Sequence, residues 1–267
     1  MSHALLDTDR IDGPPGPYLD AIGDIFVTFG APTHDSGNVS YGVQIGDQRF
    51  FVKTTVPDIE VYGDHPTRVG FLYNAARLKQ SCDHPTLPIL HRVIESAHGP
   101  MLVYDWVDGE LLRHHERFRQ LPVNEILSVL DAVFELHLDL VAAGWIAVDF
   151  YDGSPIYDFE SQTVHIVDLD CYHRGPFTNQ MGRMFGSSRF MAPEEFELGA
   201  TIDERTTLFT MGRSAAVFLS NNSLERAPFR GGDALYDVIV RACRNNPDER
   251  YSTMKDFYAD WHEARRH

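Results

Sequence analysis

The chain has 267 residues, 43% of them hydrophobic, enough for one large core or two smaller ones. Its formal net charge is −16, from 39 acidic and 23 basic side chains, and the densest basic cluster (His114, His115, Arg117, Arg119) is interrupted by Glu116. Nucleic acid and anionic membrane surfaces are therefore excluded as expected partners, since either would be repelled without a local basic stripe.

In chain order, residues 1–17 are rich in Asp, Gly and Pro and read as an irregular lead-in. Residues 25–29 are β-branched and aromatic, 39–45 alternate, and 50–53 follow a Gly46-Asp47 turn, so three strands are predicted, the first two joined by the turn-rich stretch 30–37. Residues 67–81 place Val69, Leu72, Ala75, Ala76 and Leu78 at helical spacing, and His84-Pro85 closes that segment. Two more strands are predicted at 89–95 and 101–106 around Gly99-Pro100, and 106–109 read as a connector. The remainder turns helical. Pro122 opens a long helix whose apolar face runs from Ile126 through His137 to Val141 and ends at Gly144. Short strands near 155–157 and 164–167 follow, then an irregular segment over 171–194, and helices over 208–219, 234–243 and 253–263.

The three cysteines, Cys82, Cys171 and Cys243, are far apart, with neither the paired spacing of a zinc site nor the density of a disulfide scaffold. A reducing, cytoplasmic location is expected. The N-terminus lacks a basic patch followed by an apolar run, and no apolar stretch reaches bilayer length. Of the 13 histidines, the pair His114-His115 lacks the one-turn spacing of a metal helix, and His137 reads as a hydrogen-bonded core residue.

Chemistry concentrates in three segments. Asp149 follows the long helix, Asp168 and Asp170 lie in Val167-Asp168-Leu169-Asp170 after a strand, and Phe190-Met191-Ala192-Pro193-Glu194 comes next. With Lys53 upstream at the end of a strand, this order and spacing suit phosphoryl transfer of the protein-kinase type. From about residue 24 to 261 the chain resembles the protein-kinase-like superfamily. The resemblance implies an α+β, bilobal fold, with a small β-rich N-lobe carrying one helix (18–105), a hinge (106–109) and a larger, mainly helical C-lobe (110–267). It implies ATP and Mg2+ as cofactors, and a protein Ser/Thr or a small hydroxylated molecule as acceptor.

Residue by residue, the resemblance implies that Lys53 contacts the nucleotide phosphates and that Gly37 and Val39 close the glycine-rich loop. It puts Tyr104 at the back of the nucleotide pocket and the backbone of Asp105 and Val107 on adenine. Asp149 becomes the catalytic carboxylate, and Asp168 a magnesium ligand. Ser154 replaces the usual Asn as second ligand, with Asp152 as a possible substitute, and Glu194 pairs with Arg250. Departures are visible. Earlier loop glycines give way to Pro32 and His34, Ala147-Val148 replaces the usual His-Arg, and Tyr151 replaces a lysine. Asn74 stands where a Glu would orient Lys53, leaving Asn74 or Glu60 as stand-ins. Without an Arg before Asp149, phosphorylation at Thr178, Ser187 or Ser188 is not expected to be a required on-switch. Two alternatives follow. Asp170 favours a small-molecule kinase, for an antibiotic or metabolite hydroxyl, and the missing partners favour a pseudokinase acting as a binding module.

Overall fold

The computed structural model describes residues 4–30, 38–57 and 64–266, and divides them between two compact units, Met1–Asp83 with Leu87–Asp108 and His84–Thr86 with Gly109–His267. In the first, β-branched and aromatic runs form β1 (Asp24–Phe29), β2 (Asn38–Ile45), β3 (Gln48–Thr55), β4 (Leu90–Ser96) and β5 (Gly99–Asp105). They make one antiparallel sheet in the order β1-β2-β3-β5-β4.

Each sheet face is covered by a helix. α1 (Pro15–Ile22) brings Leu19 against Val43, Phe50, Val52, Met101 and Val103. α2 (His65–Ser81) brings Leu72, Ala75 and Ala76 against Leu102 and Tyr104. The Asp64 carboxylate caps α2, accepting the Thr67 N–H at 2.9 Å. Of the irregular lead-in expected over 1–17, residues 4–14 are turns and bends and only 15–17 are helical, as the start of α1. Pro15 suits the first turn of α1 because its missing N–H would be unbonded there anyway. Leu5 is fully buried, and the Ile11 N–H donates to Glu95 O at 2.8 Å.

The second unit is mostly helical: α3 (Glu116–Arg119), α4 (Val123–Ala142), α5 (Glu204–Ser220), α6 (Asp233–Ala242) and α7 (Met254–Ala264). The amphipathic α4 buries its Ile126–Leu140 face, whereas α5 is buried on nearly every side, as a central helix must be. Gly212 explains how closely α6 approaches α5, because a Cβ there would stand 2.6 Å from Cys243 Sγ and 3.0 Å from Ala242 Cβ. Trp261 of α7 is fully buried against Phe134, with its Nε1–H on Asp131 at 2.7 Å. Short strands complete the unit: β6 (Glu110–Leu111), β7 (Trp145–Ile146), β8 (Pro155–Asp158), β9 (Thr163–Ile166), β10 (His173–Arg174), β11 (Phe177–Thr178) and β12 (Thr201–Ile202). Their pairings, β6-β8-β9, β7-β10 and β11-β12, fold the segment after α4 back on itself and onto β6, which precedes α4. Among the described residues, no helix is long and apolar enough to cross a membrane.

Candidate active site

The loop carrying Asp149 is fixed from both ends. Gly144, at φ +85°, ends the helical turn after α4, and β7 pairs with β10. The Ala147 N–H then donates to Thr207 Oγ1 of α5 at 3.0 Å, tying the loop to the most buried helix. Asp149 follows in left-handed backbone (φ +62°), a conformation that costs a non-glycine residue roughly 1–2 kcal/mol and persists only where its surroundings enforce it. Phe150 is buried edge-on against His137, with ring centroids 4.7 Å apart. His137 bonds Val133 O and the Tyr172 hydroxyl, each at 2.7 Å, and burial pushes its pKa down to about 4. The neutral ring therefore donates from Nδ1 and accepts at Nε2. This is the hydrogen-bonded core histidine expected from the α4 pattern.

Asp168 arrives from the β8–β9 hairpin. Pro155 pairs with Ile166, and one step further the Val167 N–H donates to Ser154 O at 2.9 Å. That register sets Ser154 beside the residue preceding Asp168, and Asp168 itself is also left-handed (φ +63°). Tyr151 lies near the two carboxylates. Its phenol pKa is raised, first by burial, then by the charges of Asp168 and Asp149, so both acids lie within electrostatic reach of one side chain. The ring folds over Gly153, where a Cβ would stand 2.3 Å from Tyr151 Cε2.

Magnesium, implied by the resemblance, can be tested against the donors present. Among the described residues, no cluster of three His, Cys, Asp or Glu forms a metal site. Magnesium bound with nucleotide needs only one or two carboxylates, the rest of its shell being phosphate and water. Ser154 Oγ is buried with no hydrogen-bond partner among the described residues, as an oxygen awaiting a ligand would be. Asp168 and Ser154 therefore fit the ion. The substitute ligand Asp152 does not, because its two oxygens are held by Arg189 at 2.6 and 2.9 Å.

The remaining candidates sit in the first unit. Lys53 is half-buried in β3, opposite Ser40 on one side and Leu102 on the other. Tyr104 stands opposite Phe51, so strand alternation gives it the same face as Lys53. Val39 stands opposite Thr54, one step out of phase with Lys53, and so points to the other face. Ser40 shares the lysine's side. Asp105 donates its N–H to Ile89 O at 3.0 Å and accepts His91 Nε2 at 2.6 Å. Val107 follows Trp106, whose N–H donates to Arg49 O at 3.2 Å. Gly37 and Glu60 lie outside the described residues.

Downstream, the Glu194–Arg250 pair is present and fully engaged. The guanidinium meets both carboxylate oxygens at 2.7 and 2.9 Å, donates also to Arg244 O, Arg205 O and Asn245 O, and lies 4.9 Å over Phe209. Three anchors escaped the sequence reading: Thr207, Arg189 and Asn179. The buried Asn179 side chain donates to Gly182 O and Glu194 O and accepts the Met181 N–H, holding the segment's shape. The signal for Arg189 was its place immediately before Phe190-Met191-Ala192-Pro193-Glu194.

No family model matches the chain. The fold is a mixed α+β one whose second unit carries two left-handed aspartates, and the chain is weakly similar to proteins named as protein kinases. The chain is 23% identical over 227 residues to Serine/threonine-protein kinase 1 of the Tick/Malawi isolate of African swine fever virus, covering 84% of this chain and 69% of the viral one. It is also 23% identical over 184 residues to the same-named protein of the Pig/Kenya isolate, covering 68% of this chain and 59% of that relative's length.

Proposed function

We propose that the chain is an ATP- and Mg2+-dependent phosphotransferase of the Ser/Thr protein kinase type, with a bilobal fold and altered catalytic motifs. The observation that carries this is that the charges of Asp149 and Asp168 both act on Tyr151, whose carbonyl accepts the N–H of Ser154, a residue with a buried hydroxyl that has no hydrogen-bond partner among the described residues. In this reading Asp149 orients the acceptor hydroxyl and takes its proton as the bond to phosphorus forms. The Ala147–Thr207 bond holds it there. Asp168 and Ser154 hold magnesium, which when bound neutralises phosphate charge. Lys53 is assigned to the nucleotide phosphates, Gly37 to their cover, and the backbone of Asp105 and Val107 to adenine. A protein acceptor is supported by the buried Glu194–Arg250 pair and by the names of the viral relatives. A cytoplasmic location accords with the wide sequence separation of Cys82, Cys171 and Cys243.

A second reading, a nucleotide-binding pseudokinase, is favoured by one feature: the 17 residues of α2 contain no carboxylate to orient Lys53. Magnesium-dependent ATP turnover by wild type, Asp149→Ala and Asp168→Ala decides between them. Each substitution is expected to lower turnover by about 100-fold or more, the worth of a positioned acid or base. Wild type that binds nucleotide without turnover supports the second reading. Turnover retained by both variants overturns the assignment of the two aspartates.

A further inference from the structure

Asp152 is withdrawn from solvent completely, yet it lies three residues after Asp149 in the loop the proposed chemistry uses. Its Oδ1 accepts Arg189 Nη2 at 2.6 Å and its Oδ2 accepts Arg189 Nη1 at 2.9 Å, with the His114 N–H also on Oδ2 at 3.3 Å. Arg189 is braced in turn. Its guanidinium lies 5.2 Å over the Phe190 ring, and its carbonyl accepts Arg213 Nε of α5 at 2.7 Å. A buried carboxylate without its cation is costly, so this contact must be made fully.

The pair joins the two segments around Asp149. Asp152 belongs to the loop itself. Arg189 lies three residues after Gly186, where a Cβ would stand 3.5 Å from Asp149 Oδ1. The polarity also matters. Val148 leaves no cation before Asp149 to receive a phosphate from the 183–192 segment; the cation is on that segment and the anion on the loop. A negative charge at the exposed Ser188, next to Arg189, would compete with Asp152 for the guanidinium.

From this geometry we infer that Arg189 is a positioning residue: by clamping Asp152 it keeps the Asp149 loop and the 183–192 segment in register without any phosphate, and added negative charge at Ser188 loosens the clamp. The inference rests on the phosphotransferase reading and deepens it, by giving the regulation of the same site. Because Arg189→Met alone strands Asp152 and can unfold the chain, the informative variant is Arg189→Met with Asp152→Asn. It is compared with Arg189→Lys, Ser188→Glu and phosphatase-treated wild type, using Mg-ATP and a Ser-containing peptide. The double variant is expected to lose about tenfold or more in kcat while KM for ATP moves less than about threefold, as misplacement of a catalytic group does. Arg189→Lys should recover part of the loss, Ser188→Glu should lower kcat, and phosphatase treatment should change nothing.

A double variant with kcat within about twofold of wild type, a phosphatase-sensitive rate, or activation by Ser188→Glu each overturns the inference. Hydrogen exchange at the Phe190 and Met191 amides, which donate to Ser187 O at 2.9 and 3.3 Å, reads the clamp independently of turnover. Faster exchange in the double variant supports the clamp even if wild type proves inactive, in which case the phosphotransferase reading alone fails. Unchanged exchange sinks the clamp.

Discussion

Glu195 accepts the Ala192 N–H at 2.7 Å, but burial, with Glu194 and Asp149 nearby, pushes its pKa up to about 8. The folded protein therefore holds this proton more tightly than the unfolded chain, whose ordinary value is 4.5. Its contribution to stability is complete below pH 4.5 and is lost as pH rises through 8, a cost of roughly 1–4 kcal/mol. Glu195→Gln, which mimics the protonated form, is expected to melt with wild type at pH 5 and above it at pH 8.5. A constant difference in Tm across that range would contradict the assignment. Single residues were unequally legible. His137 could be read from the apolar face of α4, because its position in a 3.6-residue repeat decides its burial. Asp152 could not. Nothing in its neighbours says that a guanidinium 37 residues later will claim both of its oxygens.

At the scale of elements, Glu194 lies in the 3-10 turn Pro193–Phe196 and Arg250 just beyond the turn Pro247–Glu249, so one ion pair fastens two irregular segments to α5 through Thr206 and Phe209. Glu194→Gln or Arg250→Met alone should cost about 3–5 kcal/mol in urea unfolding, because each leaves a buried charge without its partner. The double replacement should cost less than the sum of the singles. Strict additivity would mean that the pair is not coupled. This pairing was readable because both partners sit in recognisable contexts. So were β1 to β5 and the helices α2, α4, α5, α6 and α7, most plainly α4, α6 and α7, whose buried residues fall on one face. α1 was missed because a Pro- and Gly-rich composition masked a short helix held by tertiary burial of Leu19. The facing of Val39 was not readable for another reason: it depends on pairing register, which a one-residue shift inverts.

For the molecule as a whole, the charge of −16 is the dominant electrostatic fact. Self-repulsion disfavours the compact state, and screening lengths shorten to roughly 3 Å at molar salt. Raising NaCl from low to near-molar concentration should therefore raise Tm by a few degrees, despite weakening exposed pairs such as Arg49–Asp108. A falling Tm would mean that such pairs outweigh the net repulsion. Division into two units was partly legible, since a β-rich first third gives way to helices. The order and spacing of Asp149 and Asp168 were legible, while the bonds that hold the Asp149 loop, such as Ala147–Thr207, were not.

The placement of the three tryptophans gives these units separate optical signatures. Trp106 is half-buried at the end of the first unit, between Phe26 and Phe29, with Arg49 6.0 Å from its ring. Trp145 and Trp261 are sealed inside the second. Red-edge emission therefore belongs chiefly to one half of the chain and blue-edge emission to the other, so a single ultraviolet spectrum can follow both halves during refolding without any attached dye.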